Sequence, residues 1–264
     1  MVGGMDIWDQ GRRREFLIKE LLQEDVRYQG MELPRGEERQ KQLLRGLMNL
    51  RPPKKISRRF LEVQDAYLKA EAESKRITEL DDLEPVSDGL YLWQGDITTL
   101  RCDAIVNAAN SGMTGCYVPN HRCIDNCIHS FSGIQLRLEC AEIMERQGHE
   151  EETGKAKLTK AYNLPCRYIL HTVGPIIRGE LTEEDCDLLR QCYDSCLALA
   201  AENRLESVAF CCISTGEFHF PNDKAAQIAV NTVKKYMQKG TSVKKVVFNV
   251  FKDLDREIYS RLLG

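Results

Sequence analysis

Two hydrophobic rhythms divide the chain. From residue 6 to residue 76, apolar positions recur at helical spacing in a charged surround. Phe16, Leu17, Leu21 and Leu22, with Ile18 and Val26 beside them, form one stripe. Leu43, Leu44, Leu47 and Met48 form a second within Gly36 to Asn49, and Pro52-Pro53 ends it because proline cannot continue a helix. Ser57 is placed to cap a third helix bearing Phe60, Val63, Tyr67 and Ala70. Residues 81–89, polar, acidic and turn-rich, read as a linker. From Leu90 the rhythm changes. Strand-like runs at 90–94, 104–106, 157–162, 168–173, 207–214 and 245–251 alternate with helical patterns. Those patterns are one long amphipathic helix from Cys123 to Gln147, ended by Gly148, a helix capped by Thr182 to about Asn203, one capped by Asn222 to about Met237, and one opened by Asp253. The alternation predicts an α/β domain over residues 85–264 with a mixed or mostly parallel sheet covered on both faces, preceded by a helical extension over residues 1–84.

Composition narrows the function classes. Hydrophobic residues make up 42% of the 264, enough for a sizeable core, and the formal net charge of −3 supplies no global basic surface for nucleic acid. No apolar run reaches the roughly 18 residues of a membrane span. Met1 to Met5 lacks a basic segment followed by an apolar one, so no signal peptide and a cytoplasmic protein are expected. Eleven cysteines then read as reduced thiols, most of them small buried hydrophobes, with Cys192, Cys196, Cys211 and Cys212 as packing residues. The run Arg12-Arg13-Arg14 and the pair Lys54-Lys55 read as solvated faces.

The chemistry concentrates after Ala104-Ile105-Val106. The segment from Asn107 to Cys123 supplies Asn107, Asn110, Gly112, Gly115 and a Cys116-x4-His121-x-Cys123 cluster before the next helical pattern. A loop at the C-terminal end of a parallel strand is where open α/β sheets bind ligands. It reads as a nucleotide-sugar site carrying its own metal. Two thiolates and an imidazole can wrap one tetrahedral Zn2+, and three protein ligands leave a fourth position open, as in catalytic sites. Two alternatives stand beside this: a closed structural site completed by Cys127, Asp125 or His129, and no metal at all. His171 reads as a buried hydrogen-bonded ring and His149 as a turn residue, with no triad pattern around either.

Four motifs stand in register: Leu92-Trp93-Gln94-Gly95-Asp96-Ile97-Thr98, Asp103-Ala104-Ile105-Val106-Asn107-Ala108-Ala109-Asn110, His171-Thr172-Val173-Gly174-Pro175 and Ile213-Ser214-Thr215-Gly216. In order and spacing they resemble the macrodomain, over about Leu90 to Gly264. The cysteine–histidine cluster is similar to that of the zinc-containing subclass of microbial ADP-ribosylhydrolases, which also carry an N-terminal helical extension. The resemblance implies a three-layer α/β/α fold around a mixed, mostly parallel sheet and an ADP-ribose cleft at the strand ends. It implies that Asp96 accepts a hydrogen bond from adenine, where the bland alternative is a turn Asp, and that Ile97 adds a backbone contact. Phe251 would stack on adenine or else pack in the core. Ser214, Thr215, Gly216, Glu217 and Phe218 would form the diphosphate loop, in which Glu217 stands where an apolar residue is common and His219 where glycine is common. Glu217 is tolerable there only if its side chain points away. Asn110 would hold the distal ribose, with Asn107 orienting the loop. Asp125 aligns with a water-orienting Asp of metal-free relatives, but the glycine run before it is replaced by the metal-ligand cluster. It is left as a base, as a support for a metal ligand, or as a first-turn helix residue.

The function expected is a zinc-dependent hydrolase, a monomer, releasing ADP-ribose from mono-ADP-ribosylated protein, with Asn110 and Asp125 at the reacting centre. A non-catalytic ADP-ribose-binding module and an O-acetyl-ADP-ribose deacetylase are the alternatives. Because the zinc subclass is often encoded beside a sirtuin-like transferase and a lipoyl-carrier protein, a modified carrier protein is an expected substrate, by association alone.

Overall fold

The computed structural model describes residues 8–264, so the signal-peptide reading at Met1 to Met5 lies outside the described residues. Three helices come first: α1 (Gln10–Gln23), α2 (Glu37–Leu50) and α3 (Arg58–Ser74). Asp9 caps α1 through Arg12 N, and Ser57 caps α3 through Phe60 N, as its position implied. Their apolar stripes close on one another. Leu17, Ile18, Leu44, Leu47, Phe60 and Val63 form a separate core, which Ile134 of the following domain joins. Val26 lies outside that stripe and is exposed. Arg14 departs from the solvated reading of its run: it is buried, donating to Gln40 and facing Glu37.

The supposed linker is structured. A short strand β1 (Thr78–Glu79) is followed by a 3₁₀ turn at Leu80–Asp82 and by β2 (Pro85–Ser87), which pairs antiparallel with β3 (Leu90–Gln94). The backbone of this polar stretch completes a sheet edge, where side-chain hydrophobicity carries no signal. After β4 (Leu100–Arg101), which pairs with β1, come β5 (Ala104–Ala109), α4 (Ile124–Ser132), α5 (Ile134–Gln147), β6 (Ala156–Lys160), β7 (Tyr168–Val173), α6 (Glu183–Glu202), β8 (Ser207–Phe210), α7 (Asn222–Met237), β9 (Lys245–Val250) and α8 (Asp253–Leu263). The main sheet has the order β2-β3-β9-β8-β5-β7-β6, parallel throughout except at its two edges. Every residue of β8 and nearly all of β5 is buried, which requires cover on both faces.

The expected single helix from Cys123 to Gln147 is two. Gly133, at φ 102° and ψ 169°, adopts a conformation open essentially to glycine alone and breaks the run. Gly148, left-handed at φ 78°, ends α5 as read. The strand expected to reach Ser214 stops at Phe210, where its pairing with β9 ends, and Ser214 turns left-handed at φ 64°. The run expected to reach Tyr162 likewise stops at Lys160, and Tyr162 has φ 55°. Pro221, not Asn222, holds the cap position of α7, and the Asn222 amide instead donates to Asp255. Cys192, Cys196 and Cys211 are buried packing residues and Cys212 is half-buried. Among the described residues no helix is long and apolar enough to cross a membrane.

Candidate functional site

The C-terminal ends of β3, β5, β8 and β9 bring the expected residues into one region. Asn107 and Ala109 end β5, and the loop that follows is held by its own side chains. The Asn110 Oδ1 accepts from Gly112 N at 3.0 Å, and its Nδ2 donates to Gly115 O at 3.2 Å and to Asp125 Oδ2 at 3.1 Å. Asn107 is fully buried and donates to the other Asp125 oxygen at 2.8 Å. Asp125 sits in the first turn of α4 with its carboxyl gripped by the two asparagines. Burial is the larger influence and raises its pKa to about 6, against the opposing hydrogen bond from Asn107.

Cys116, His121 and Cys123 converge. Their ligand atoms lie within 4.8 Å of one another, with Cys116 Sγ 3.6 Å from His121 Nδ1. Cys123 is also the N-cap of α4, its sulfur accepting from Asn126 N. Burial, with the neighbouring Cys116, pushes its thiol up to about 12. A two-sulfur, one-imidazole donor set of this kind fits Zn2+ by both softness and number. Among the described residues no fourth Cys, His or carboxylate joins it. Cys127 instead meets the Arg45 guanidinium at 3.5 Å, and Asp125 is engaged by the asparagines. His129 falls in a second, wholly buried grouping with Cys140 and His171.

That second grouping forms the floor behind Asp125. The Asn107 Nδ2 lies 3.1 Å from His171 Nδ1, and Thr159 Oγ1 lies 2.8 Å from His171 Nε2. Desolvation takes His171 down to about 3 and drives His129 well below its ordinary value, so both rings are neutral. Cys140 Sγ stands 4.0 Å from His171, and burial pushes its thiol well above the ordinary range.

The turn expected to hold the diphosphate follows β8. Thr215 and His219 spend their amides within the turn, on Cys212 O and Gly216 O. Among the described residues, the amides of Gly216, Glu217 and Phe218 have no protein partner. A Cβ added to Gly216 would meet open space, whereas one added to Gly174 would stand 2.0 Å from Ser214 Oγ. The first glycine leaves room for a ligand, and the second lets the Gly174-Pro175 segment approach Ser214. His219 has φ 58°, which explains in backbone terms why glycine suits that position. The Glu217 Oε1 lies 3.7 Å from His121 Nε2, so this turn and the loop of Cys116, His121 and Cys123 meet there.

Around the expected adenine end, Asp96 serves the turn: one oxygen accepts from Thr98 N and Oγ1, while the other faces Lys75 at 3.6 Å. Ile97 buries its side chain, leaving only its backbone to a ligand. Phe251 is 78% exposed just past β9, which removes the core-packing reading.

Comparison with known proteins follows this geometry. Residues 106–229 match the Macro domain family model. A "Protein-ADP-ribose hydrolase" of Treponema medium is 58% identical, with 97% of this chain aligned to 99% of that one. One of the same description from Staphylococcus aureus strain Mu50 is 50% identical over 96% of this chain and 95% of its own. The crystal structure of a Trypanosoma brucei macrodomain in complex with ADP-ribose superposes with a TM-score of 0.66 at 32% identity, covering 83% of this chain and 95% of that chain. The chain belongs to the macrodomain family. The fold expected from the four motifs is therefore the fold observed, with the helical extension in front. That extension touches the loop of Cys116, His121 and Cys123 directly: Arg45 and Asn49 of α2 bond to it, contacts between segments too far apart in sequence to be read from it.

Proposed function

We propose that this macrodomain is a zinc-dependent hydrolase that releases ADP-ribose from mono-ADP-ribosylated protein, with residues 85–264 as the catalytic domain and residues 1–84 as its helical extension. Hydrolysis of the ADP-ribosyl link is supported by relatives described as protein-ADP-ribose hydrolases, and ADP-ribose binding by a homologous macrodomain holding that ligand. The zinc requirement rests on one observation: Cys116, His121 and Cys123 converge, with no fourth protein ligand among the described residues, beside Asn110 and Asp125. Bound there, zinc would supply a Lewis acid next to the distal ribose.

The chain's own residues do the rest. The free amides of Gly216, Glu217 and Phe218, with Ser214 and Thr215 forming the turn, cradle the diphosphate as oriented backbone dipoles. Asp96 and the Ile97 backbone set the adenine, and Phe251 offers it an exposed ring. Asn110 orients the distal ribose. Asp125, fixed from both sides by Asn107 and Asn110, accepts the proton of the attacking water as its oxygen bonds to C1″. The C1″ link to the protein side chain breaks, and that side chain leaves with the proton that Asp125 took from the water. A carrier protein modified by a sirtuin-like transferase is the substrate we propose.

The test sets two substrates against each other. The full chain should release ADP-ribose from mono-ADP-ribosylated protein, and Cys123→Ala should lose that activity. Faster turnover of O-acetyl-ADP-ribose would move the reading to deacetylation. ADP-ribose binding without release from either substrate would make the chain a binding module.

A further inference from the structure

We infer that the N-terminal helices are part of the active site, with Arg45 and Asn49 of α2 as positioning residues for the loop that carries Cys116, His121 and Cys123. The inference rests on the metal reading above for what the loop holds, but not for how the loop is held.

The loop needs holding. Met113 and Asn120 have left-handed backbones, with φ of 61° and 57°, and non-glycine residues persist there only where surrounding structure over-determines them. Its bonds run to α2. The Arg45 guanidinium donates to His121 O at 2.6 Å, the carbonyl of the imidazole ligand itself. The same nitrogen donates to Asn126 Oδ1 at 2.9 Å, which turns the Asn126 amide nitrogen toward Val118 O (2.9 Å) and Cys116 O (3.3 Å). One guanidinium thus fixes the backbone at two of the three ligands. Asn49, buried, accepts from Asn120 N at 2.9 Å and donates to Ser130 Oγ at 2.8 Å. From the other side, Arg137 of α5 binds Thr114 O at 2.7 Å together with the last carbonyls of α2, at Met48, Asn49 and Arg51.

Gly46 completes the argument. A glycine inside a helix costs about 1 kcal/mol relative to alanine. Here a Cβ would lie 3.3 Å from Asn120 Nδ2 and 3.7 Å from Pro119 Cβ, so the loop lies close against α2 at this glycine and a side chain there would make Asn120 shift by a few tenths of an ångström.

The experiment uses the full chain and two readouts: hydrogen exchange of peptides spanning 113–123, and zinc affinity by competition with a chromophoric chelator. Arg45→Met and Asn49→Ala should speed exchange in that segment but not in 213–220, and should weaken zinc binding by about 10- to 100-fold. Arg45→Lys, which keeps the charge but not the fork, should fall between. Lys19→Ala, on the exposed side of α1, should change neither. If Arg45→Met fails to fold, the milder Arg45→Lys still reads the effect. Unchanged exchange in 113–123 for Arg45→Lys and Asn49→Ala would overturn the inference. Absence of zinc from the wild-type chain would instead overturn the metal reading, with exchange still deciding whether α2 holds the loop.

Discussion

Arg137 is the sharpest stability test. Its guanidinium is buried between two parts of the molecule and satisfies four carbonyls, at Thr114, Met48, Asn49 and Arg51. Arg137→Met keeps the apolar stem and deletes every donor. Each buried carbonyl left unmatched costs about 1 kcal/mol or more, which puts the loss near 4 kcal/mol. Part is recovered, because burial also strains the charged guanidinium and draws its pKa down. A net loss of about 3 kcal/mol follows, or roughly 6–10 °C in Tm for a chain of this size. Urea unfolding can resolve where the loss falls, since the chain has two tryptophans, Trp8 in the helical extension and Trp93 in β3. Trp8→Phe isolates the second signal. The natural control is Arg101→Met, which breaks a half-exposed pair with Glu79 and should cost less than about 1 kcal/mol. If Arg137→Met costs no more than that control, the claim that α2 and the metal-ligand loop are held jointly through α5 is wrong.

Three further outcomes follow from the geometry. His171 is held neutral at about 3 against an ordinary 6.5, so its contribution is complete above pH 6.5 and drains as pH falls through that range. Between pH 7 and 5 the wild type should lose about 2 kcal/mol more than His171→Gln in chemical denaturation, and parallel pH curves for the two proteins would refute this. Gly133→Ala, forced to φ 102°, should destabilise by about 2 kcal/mol, while Gly148→Ala at φ 78° in open space should cost about 1 kcal/mol; equal melting temperatures for the first and the wild type would contradict the backbone argument. Glu217→Gln removes a negative charge from the diphosphate turn and the carboxylate beside His121. Calorimetry should show ADP-ribose binding a few-fold tighter, the gain limited by the side chain's 71% exposure, while zinc binds about tenfold more weakly.

What the sequence disclosed was local. Helical spacing located α1, α2 and α3, and Ser57 and Thr182 marked the caps of α3 and α6, because a cap is a bond between neighbours. The cluster of Cys116, His121 and Cys123 was legible because its members share one loop. The break at Gly133 was not, since apolar residues on both sides continue the periodicity and only the backbone angle interrupts it. Nor was β2, whose side chains are all exposed and whose place is fixed by pairing with β3. The partners that complete the site lie far along the chain: Arg45 with His121, Asn49 with Asn120, Glu217 with His121. No periodicity encodes such pairs. The odd residue Glu217 in the diphosphate turn was the one hint, and its meaning depended on which neighbour it faced.

Whether an unsaturated zinc centre serves the distal ribose is decided by elemental analysis of the purified chain together with hydrolysis of a mono-ADP-ribosylated protein before chelation, after chelation, and after zinc is restored. The purified chain should hold about one zinc, lose release on chelation with ADP-ribose still bound, and recover it when zinc is added back. Full activity from metal-free protein would contradict the zinc requirement.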